Sequence, residues 1–125
     1  MTDLLERPIW HALCGRQARF AVGGQAARRF RSDVSPFAAC IDDSPVALAA
    51  VADLADGAAP LLFLQRGAVP LPPGMRVIDG GTGVQMVADG YVASELPEGI
   101  VALEEADAAA MLALARLTKP GPFRA

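Results

Sequence analysis

The sequence predicts an α/β protein: a small mixed sheet with flanking helices, followed by one further strand–helix unit. Two observations predict this fold class. Short apolar runs of strand length alternate with helical patterns, and each helical pattern has its own start and stop signals. The 125 residues, of which 53% are hydrophobic, suffice for one ordinary domain, or for one small domain and a fragment of another. This hydrophobic content is high for a small domain and predicts apolar surface meant for a partner or for a missing segment.

The first elements are a short helix and three strands. Pro8 suits a first helical turn, and Gly15 is placed to end the helix in a left-handed conformation. His11 and Cys14 lie inside this helix, where we expect a half-buried His and a packed Cys. Strands are predicted at 18–22, 25–30 and 37–41, with Gly23-Gly24 as the turn between the first two.

A second helix is predicted to start at Ser44, the N-cap, and Pro45, and to stop at Gly57. Its buried side would be formed by Val46, Leu48, Val51 and Leu54. The apolar runs 61–64 and 75–78 predict two more strands.

The last unit combines a strand at Ile100–Leu103 with a helix whose first turn is acidic, at Glu104, Glu105 and Asp107. Met111, Leu114 and Leu117 would face inward. We therefore predict an N-terminal α/β domain at 1–92, a linker at 93–98 and the strand–helix unit at 99–125.

The sequence carries no self-sufficient catalytic motif, so catalytic residues stay unknown. Gly80-Gly81-Thr82-Gly83 follows a predicted strand, but the short distance to Gly90 leaves no room for the helix of a dinucleotide site, and we interpret it as a turn. His11 and Cys14 have ligand spacing but no further ligand at a matching offset, so we predict no metal site. The carboxylate pairs Asp42-Asp43 and Glu104-Glu105 stand at helix starts, where capping explains them.

Charge and composition limit the classes of partner that we expect for this chain. Residues 1–31 carry six arginines and two acids, whereas the rest carries five basic and twelve acidic side chains. The arginines at 16–31 could serve a phosphate or nucleic-acid surface, but pairing with acids or solvation is the favoured interpretation. No apolar run is long enough to span a bilayer, no signal peptide is evident, and two cysteines make no disulfide framework. We expect a cytoplasmic protein that binds no membrane.

The segment 100–114 resembles the opening strand and first helix of the GNAT superfamily of N-acetyltransferases. The whole chain is similar to the N-terminal part of bacterial members that carry an extra domain ahead of the catalytic one. Further stretches carry this resemblance: Ala27-Arg-Arg-Phe30, Val34-Ser-Pro-Phe-Ala-Ala39, Leu61-Leu-Phe-Leu64, 69–75, Val84-Gln-Met-Val87 and 111–123.

The resemblance implies acetyl transfer from acetyl-CoA to an amine by the complete enzyme. The family's pyrophosphate loop, Arg/Gln-x-x-Gly-x-Gly/Ala, is absent here, so we expect this chain alone to be inactive and to bind no cofactor. The region after the first helix commonly borders the acceptor groove in this family, which makes Thr118, Lys119 and Phe123 candidate substrate contacts; a simple turn at 120–122 is an equally good interpretation.

Three hypotheses follow. The chain is the N-terminal portion of a GNAT-like acetyltransferase, whose partner is a missing C-terminal GNAT segment or a separate subunit. Alternatively, it is a non-catalytic interaction domain that pairs with itself as a homodimer or with another protein. The third hypothesis, a phosphate- or nucleic-acid-binding module that uses the arginines at 16–31, is the least favoured.

Overall fold

The computed structural model describes residues 3–90 and 92–119. Backbone contacts divide the chain into two units, one ending at Val77 and the other beginning at Ile78. The elements in chain order are α1 (Pro8–Cys14), β1 (Ala21–Gly23), β2 (Ala27–Phe30), β3 (Ala38–Cys40), α2 (Pro45–Asp53) and α3 (Ala108–Thr118). The predicted α/β class with a small sheet and flanking helices is confirmed. The predicted domain limits at 92 and 98 stay a prediction.

The sheet of the first unit is antiparallel, in the order β1-β2-β3. Ala21 pairs with Phe30 at one edge, and Ala27 pairs with Cys40 at the other. The predicted strand at 61–64 forms only one bridge, in which Leu62 pairs in parallel with Phe37. This bridge provides the parallel element of the predicted mixed sheet. The first part of the predicted strand 18–22 is a 3-10 turn, Ala18–Phe20, that leads into β1.

The turn between β1 and β2 depends on glycine. Gly23 has φ +125°, and a Cβ built there would lie 2.4 Å from the carbonyl oxygen of Ala27. L-amino acids rarely adopt this backbone conformation, so both φ and space require glycine at this position. Gly15 ends α1 without a left-handed conformation, contrary to prediction, because its φ is −112°.

The two faces of the sheet bury different helices. Successive side chains of β2 point to opposite faces. Ala27 belongs to a core cluster with Ala38, Cys40 and two α2 residues, Ala47 and Val51. The alternate residue Arg28 lies against α1, where its guanidinium donates to Leu13 O at 3.0 Å. The sheet of the first unit is therefore sandwiched between α1 and α2.

Helix α2 begins as predicted, since Ser44 Oγ accepts a hydrogen bond from the Ala47 N–H. Its buried side is Ala47 and Val51; Leu48 and Leu54 are half-buried, and Val46 is 74% exposed rather than buried. In α1 the buried residues are Trp10 and Leu13, while Cys14 is exposed, so the prediction of a packed Cys14 is wrong. Helical periodicity identified both helices and the buried residue Val51, but Val46 and Cys14, which were expected on the buried sides, are exposed.

The second unit has less regular structure. The predicted strands 75–78 and 100–103 are not formed, because no strand among the described residues pairs with either run. Helix α3 follows a 3-10 turn at Glu105–Asp107. Met111, Leu114 and Leu117 were expected to face inward, but they are 47%, 61% and 80% exposed. No described residue from 78 onward is buried.

Candidate functional site

The candidate substrate residues lie at the carboxyl end of α3. Thr118 Oγ1 donates to Leu114 O at 3.0 Å, so this hydroxyl already serves the helix itself. Lys119 is the helix C-cap in a left-handed conformation, with φ +50°, and its N–H bonds to Ala115 O at 2.8 Å. Its side chain is exposed. Phe123, the third candidate, lies outside the described residues. Lys119 is therefore the better placed of the two described candidates to reach a ligand.

The carboxylate pairs have structural partners. At the start of α3, Asp107 accepts a hydrogen bond from the Glu104 N–H at 2.9 Å. Before α2, Asp42 accepts from the Ser44 N–H at 3.0 Å. Hydrogen bonds from Ser44 lower the pKa of the Asp42 carboxyl. Asp42 thus acts before the start of α2, as expected, whereas at the second helix start the bond is accepted by Asp107.

The glycine loop 80–83 is fully exposed, and no helix follows it before residue 90. The Gly80 N–H bonds to the neighbouring Asp79 carboxylate at 2.8 Å. A carboxylate on this amide occupies a donor that a phosphate would need. The loop is irregular and shows no assigned turn, and it lacks the following helix that a phosphate cradle needs.

His11 and Cys14 do not form a metal site with any third ligand in the described part of the chain. His11 is half-buried, as expected. The second cysteine, Cys40, is buried under α2 with its Sγ 3.5 Å from Ala47 O. Burial raises the pKa of the Cys40 thiol, which keeps it protonated and unreactive.

The arginines of β2 have roles that the sequence analysis missed. Arg28 donates to Leu13 O in the last turn of α1, and the buried Arg29 donates from Nη1 to Leu54 O at the end of α2, at 2.8 Å. Each cation thus meets the negative end of one helix. The sequence held part of the signal, because two adjacent arginines on a strand must point to opposite faces. That each face carries a helix is known only from the structure. Arg31 pairs with Asp33 at 2.6 Å.

A surface cleft of about 400 Å³ lies beside α1, lined by Glu6, Arg7, Trp10, His11 and Ile41. Arg7 is held by Asp43 at 2.7 Å and by Cys40 O and Gln65 Oε1, both at 3.3 Å. These contacts join the start of α1 to β3, to the loop before α2 and to Gln65. Sequence analysis gave Arg7 no role, and its bonds to protein acceptors make it part of the framework.

The most extensive feature with functional meaning is the apolar surface of the second unit. Twelve large apolar side chains there are at least 47% exposed: Ile78, Val84, Met86, Val87, Val92, Leu96, Ile100, Val101, Leu103, Met111, Leu114 and Leu117. Single exposed apolar residues are ordinary on soluble proteins, but so many over a short stretch are unusual for a small domain. Among the described residues, no helix is long and apolar enough to cross a membrane.

Comparison with solved structures gives a strong match. The chain is 38% identical, over 98% of its length, to a protein from Novosphingobium aromaticivorans that is assigned to the GNAT family as an acetyltransferase. The TM-score is 0.78, and the chain spans 54% of that protein, or about half its length. Comparisons with protein-family models and with curated proteins give no match. Likeness in both sequence and fold supports the GNAT superfamily for the matched region.

Proposed function

We propose that this chain is part of a GNAT-family N-acetyltransferase that transfers the acetyl group of acetyl-CoA to an amine. The observation that carries the proposal is the 38% identity over nearly the whole chain to a GNAT-family protein, at a TM-score of 0.78. The resemblance of residues 100–114 to the family's first strand and helix points the same way. In this proposal the chain is the N-terminal portion, with residues 1–92 as the extra domain that shapes the acceptor site, and the enzyme is cytoplasmic.

Acetyl-CoA would be held by polypeptide outside this chain. The sequence has no Arg/Gln-x-x-Gly-x-Gly/Ala loop, and the exposed loop at 80–83 is not followed before residue 90 by a helix whose N-terminus could face a pyrophosphate. The chain alone would therefore neither bind the cofactor nor catalyse the transfer.

The acceptor amine would pass the end of α3. Lys119 and Thr118 stand at the residues that match the family's acceptor groove, and Phe123 follows them in the sequence. The helix end sets the backbone position of Lys119, and the exposed side chain offers a cation there. Such a cation would bind an acidic group on the acceptor and would repel its protonated amine.

The test is acetyl transfer by this chain co-expressed with the part of the Novosphingobium protein that it does not match. Release of free CoA from acetyl-CoA is followed with a panel of amines, including amino acids, polyamines and aminoglycosides. We expect CoA release that depends on both polypeptides and on an amine. Absence of release with every amine, with acetyl-CoA bound, would contradict the proposal. Acetyl-CoA binding to the 125-residue chain alone, seen by calorimetry, would overturn the assignment of the cofactor site to other polypeptide.

The acceptor assignment is tested separately by Lys119→Ala. We expect a several-fold change in the KM for the amine with little change in the KM for acetyl-CoA. Arg116→Ala is the matched control, since Arg116 is an exposed cation one turn earlier in α3. Equal effects of the two substitutions would remove Lys119 from the acceptor groove.

A second candidate function is a non-catalytic interaction or dimerisation domain. The exposed apolar side chains of the second unit favour it, because a second copy could cover them equally well in principle. Sedimentation of the chain, alone and with the unmatched part of the Novosphingobium protein, separates the two candidate functions. A stable dimer that does not change when that polypeptide is added would favour the dimerisation domain.

A further inference from the structure

The cleft beside α1 brings two opposite charges and an apolar wall together. Glu6 and Arg7 are consecutive in the sequence, and both line the cleft with Trp10, His11 and Ile41. Its volume of about 400 Å³ lies within the range of about 300–1,000 Å³ that is typical of small-molecule sites. Such sites are mostly apolar and carry a few polar groups at fixed positions. The lining therefore fits a small molecule that is partly apolar and partly charged.

Arg7 provides a cation whose position is fixed by the protein. Its Nη1 donates to Cys40 O and Gln65 Oε1, and its Nη2 donates to Asp43 Oδ1. A guanidinium has five N–H groups, so these three bonds leave the Nε–H and one Nη2–H without an acceptor among the described residues. Free N–H groups on a guanidinium bind carboxylates through charge-assisted hydrogen bonds. Arg7 can thus support the framework and still hold an acid.

Glu6 supplies the opposite charge. Its carboxylate comes within only 3.7 Å of Arg66, and both side chains are more than half exposed. A loose, exposed ion pair contributes little stability, so the carboxylate remains available to a ligand. The Arg66 N–H donates to Glu6 O at 2.8 Å, which fixes the main chain of this wall. Glu6 is therefore placed to accept an ammonium group.

The balance of charge around the cleft favours a ligand that carries both signs. Arg7 is paired with Asp43 and Glu6 with Arg66, so these four charges cancel. A simple anion would be repelled by Glu6 and a simple amine by Arg7, whereas a zwitterion is attracted to both.

The apolar wall is formed by Trp10 and Ile41. Trp10 is buried, and the Arg28 guanidinium lies 5.8 Å from the centroid of its ring. Ile41 is 47% exposed, so apolar surface remains that a ligand can remove from water. An aliphatic group on the ligand would cover this surface.

We propose that the cleft binds a zwitterionic α-amino acid with an aliphatic side chain. The ligand carboxylate accepts from the free N–H groups of Arg7, its ammonium pairs with Glu6, and its side chain covers Ile41 beside Trp10. An α-amino acid carries both charged groups and the side chain on one carbon atom, so a cleft of this volume can contact all three. The proposed site uses residues of the first unit alone and does not depend on the proposed acetyl transfer.

The experiment uses the intrinsic fluorescence of Trp10, which is the single tryptophan of the chain. The 125-residue chain is titrated with L-leucine without acetyl-CoA, and we expect a saturable change in emission. L-leucinamide lacks the carboxylate and N-acetyl-L-leucine lacks the ammonium, so each should bind at least tenfold more weakly. The proposal is overturned by the absence of a saturable change near the solubility limit of L-leucine, or by equal affinities for the three compounds.

The substitution Glu6→Gln tests the ammonium contact. It should weaken L-leucine at least tenfold and leave N-acetyl-L-leucine unchanged, since that compound has no ammonium to lose. Glu98→Gln is the control, because Glu98 is an exposed carboxylate of the second unit, and it should leave both affinities unchanged. Urea unfolding checks that both variants fold. Equal effects of the two substitutions on L-leucine would overturn the role of Glu6.

The substitution Ile41→Ala tests the apolar wall. It should weaken L-leucine several-fold and leave glycine, which has no side chain, unchanged. Val22→Ala is the control, because Val22 in β1 is 44% exposed and does not line the cleft. An unchanged affinity for L-leucine in Ile41→Ala would overturn the placement of the ligand side chain.

Discussion

Residues 3–77 and 78–119 contain apolar side chains in abundance, yet only the first region forms a core. There, Leu13, Ala38 and Val51 are completely buried between a sheet and two helices. In the second region no described residue is buried. The first region supplies a sheet together with helices for both of its faces, whereas the second supplies one helix and an unpaired strand-like run. Hydrophobic content becomes a core only where complementary elements are present.

Polar contacts follow the same division. Hydrogen bonds in the first region join distant parts of the sequence, such as Arg7 to Gln65 and Arg29 to Leu54. In the described second region, side-chain hydrogen bonds reach at most four residues, as in Thr118 to Leu114. Local bonds support a turn or a helix end but do not fix tertiary structure. In the described residues from 78 onward, side-chain hydrogen bonds therefore stabilise local structure only.

The largest effect is expected from Gly23→Ala. The methyl group would meet the Ala27 carbonyl and the Leu54 side chain at a φ of +125°. Backbone strain and overpacking together should cost about 4 kcal/mol of unfolding free energy. Gly81→Ala in the second region is the control, because nothing lies within 4 Å of its added Cβ. Urea unfolding measures both, and similar values would contradict the close packing of the first region.

Leu13→Ala should cost about 3 kcal/mol, since Leu13 is 0% exposed in α1 and the substitution leaves a cavity. Leu114→Ala makes the same change in α3, where Leu114 is 61% exposed, and should stay within about 0.5 kcal/mol. Thermal unfolding of the chain alone gives the comparison. The same thermal unfolding is then measured with the unmatched part of the Novosphingobium protein present. Under that condition Leu114→Ala should become destabilising. If Leu114→Ala lowered the stability of the chain alone as much as Leu13→Ala does, α3 would already be packed.

How far the sequence predicted this fold depends on whether the signal was local. Ser44 and Pro45 fix the start of α2 by local hydrogen bonding, and Gly23 fixes a turn by its own conformation, so these were predictable. The strand at 100–103 was not formed because a strand needs a partner, and composition does not provide one. The predictions that Cys14 in α1 is packed and that the apolar side of α3 faces inward were wrong, since burial depends on which surface a helix meets.

The candidate site was less predictable than the fold. Thr118, Lys119 and Phe123 came from a resemblance alone, and their role in binding an acceptor stays a prediction. The structural role of Arg29 was overlooked because a basic residue on a strand is usually expected to face solvent. Adjacent strand residues point to opposite faces, so Arg28 and Arg29 cannot both lie on the same face. Both side chains are used by helix ends from distant parts of the chain, which sequence spacing does not reveal.

The substitution Arg29→Met tests whether the hydrogen bonds of the Arg29 side chain stabilise the first region. Removing the buried guanidinium leaves Leu54 O and Phe30 O without its donors, and we expect a loss of about 2 kcal/mol in unfolding free energy. Arg19→Met is the control, because the exposed Arg19 side chain lies over the Phe20 ring at 4.6 Å and should contribute less than about 1 kcal/mol. Urea unfolding at one salt concentration compares the two. Equal losses would mean that the Arg29 contacts do not stabilise the first region.

The smallest effect is expected from Asp43→Asn and appears as a change in acid sensitivity. Hydrogen bonds from Arg7 and then from Gln65 lower the pKa of the Asp43 carboxyl. A lowered folded-state pKa adds stability above the ordinary value of about 3.9, and this stability is lost as pH falls through the folded-state pKa. Because Asp43 is 48% exposed, the contribution at pH 7 should be below about 1 kcal/mol.

Urea unfolding at pH 7 and pH 3 measures this contribution. Asp43→Asn should lose stability at pH 7 and show a smaller decrease toward pH 3 than the unmodified chain. Arg7→Met should produce the same flattening, because it removes the donor that lowers the pKa of Asp43. The double variant should show no further flattening than either single one, since both changes act on one contact. An acid profile that is unchanged by either substitution would mean that Arg7 and Asp43 do not join the start of α1 to the loop before α2.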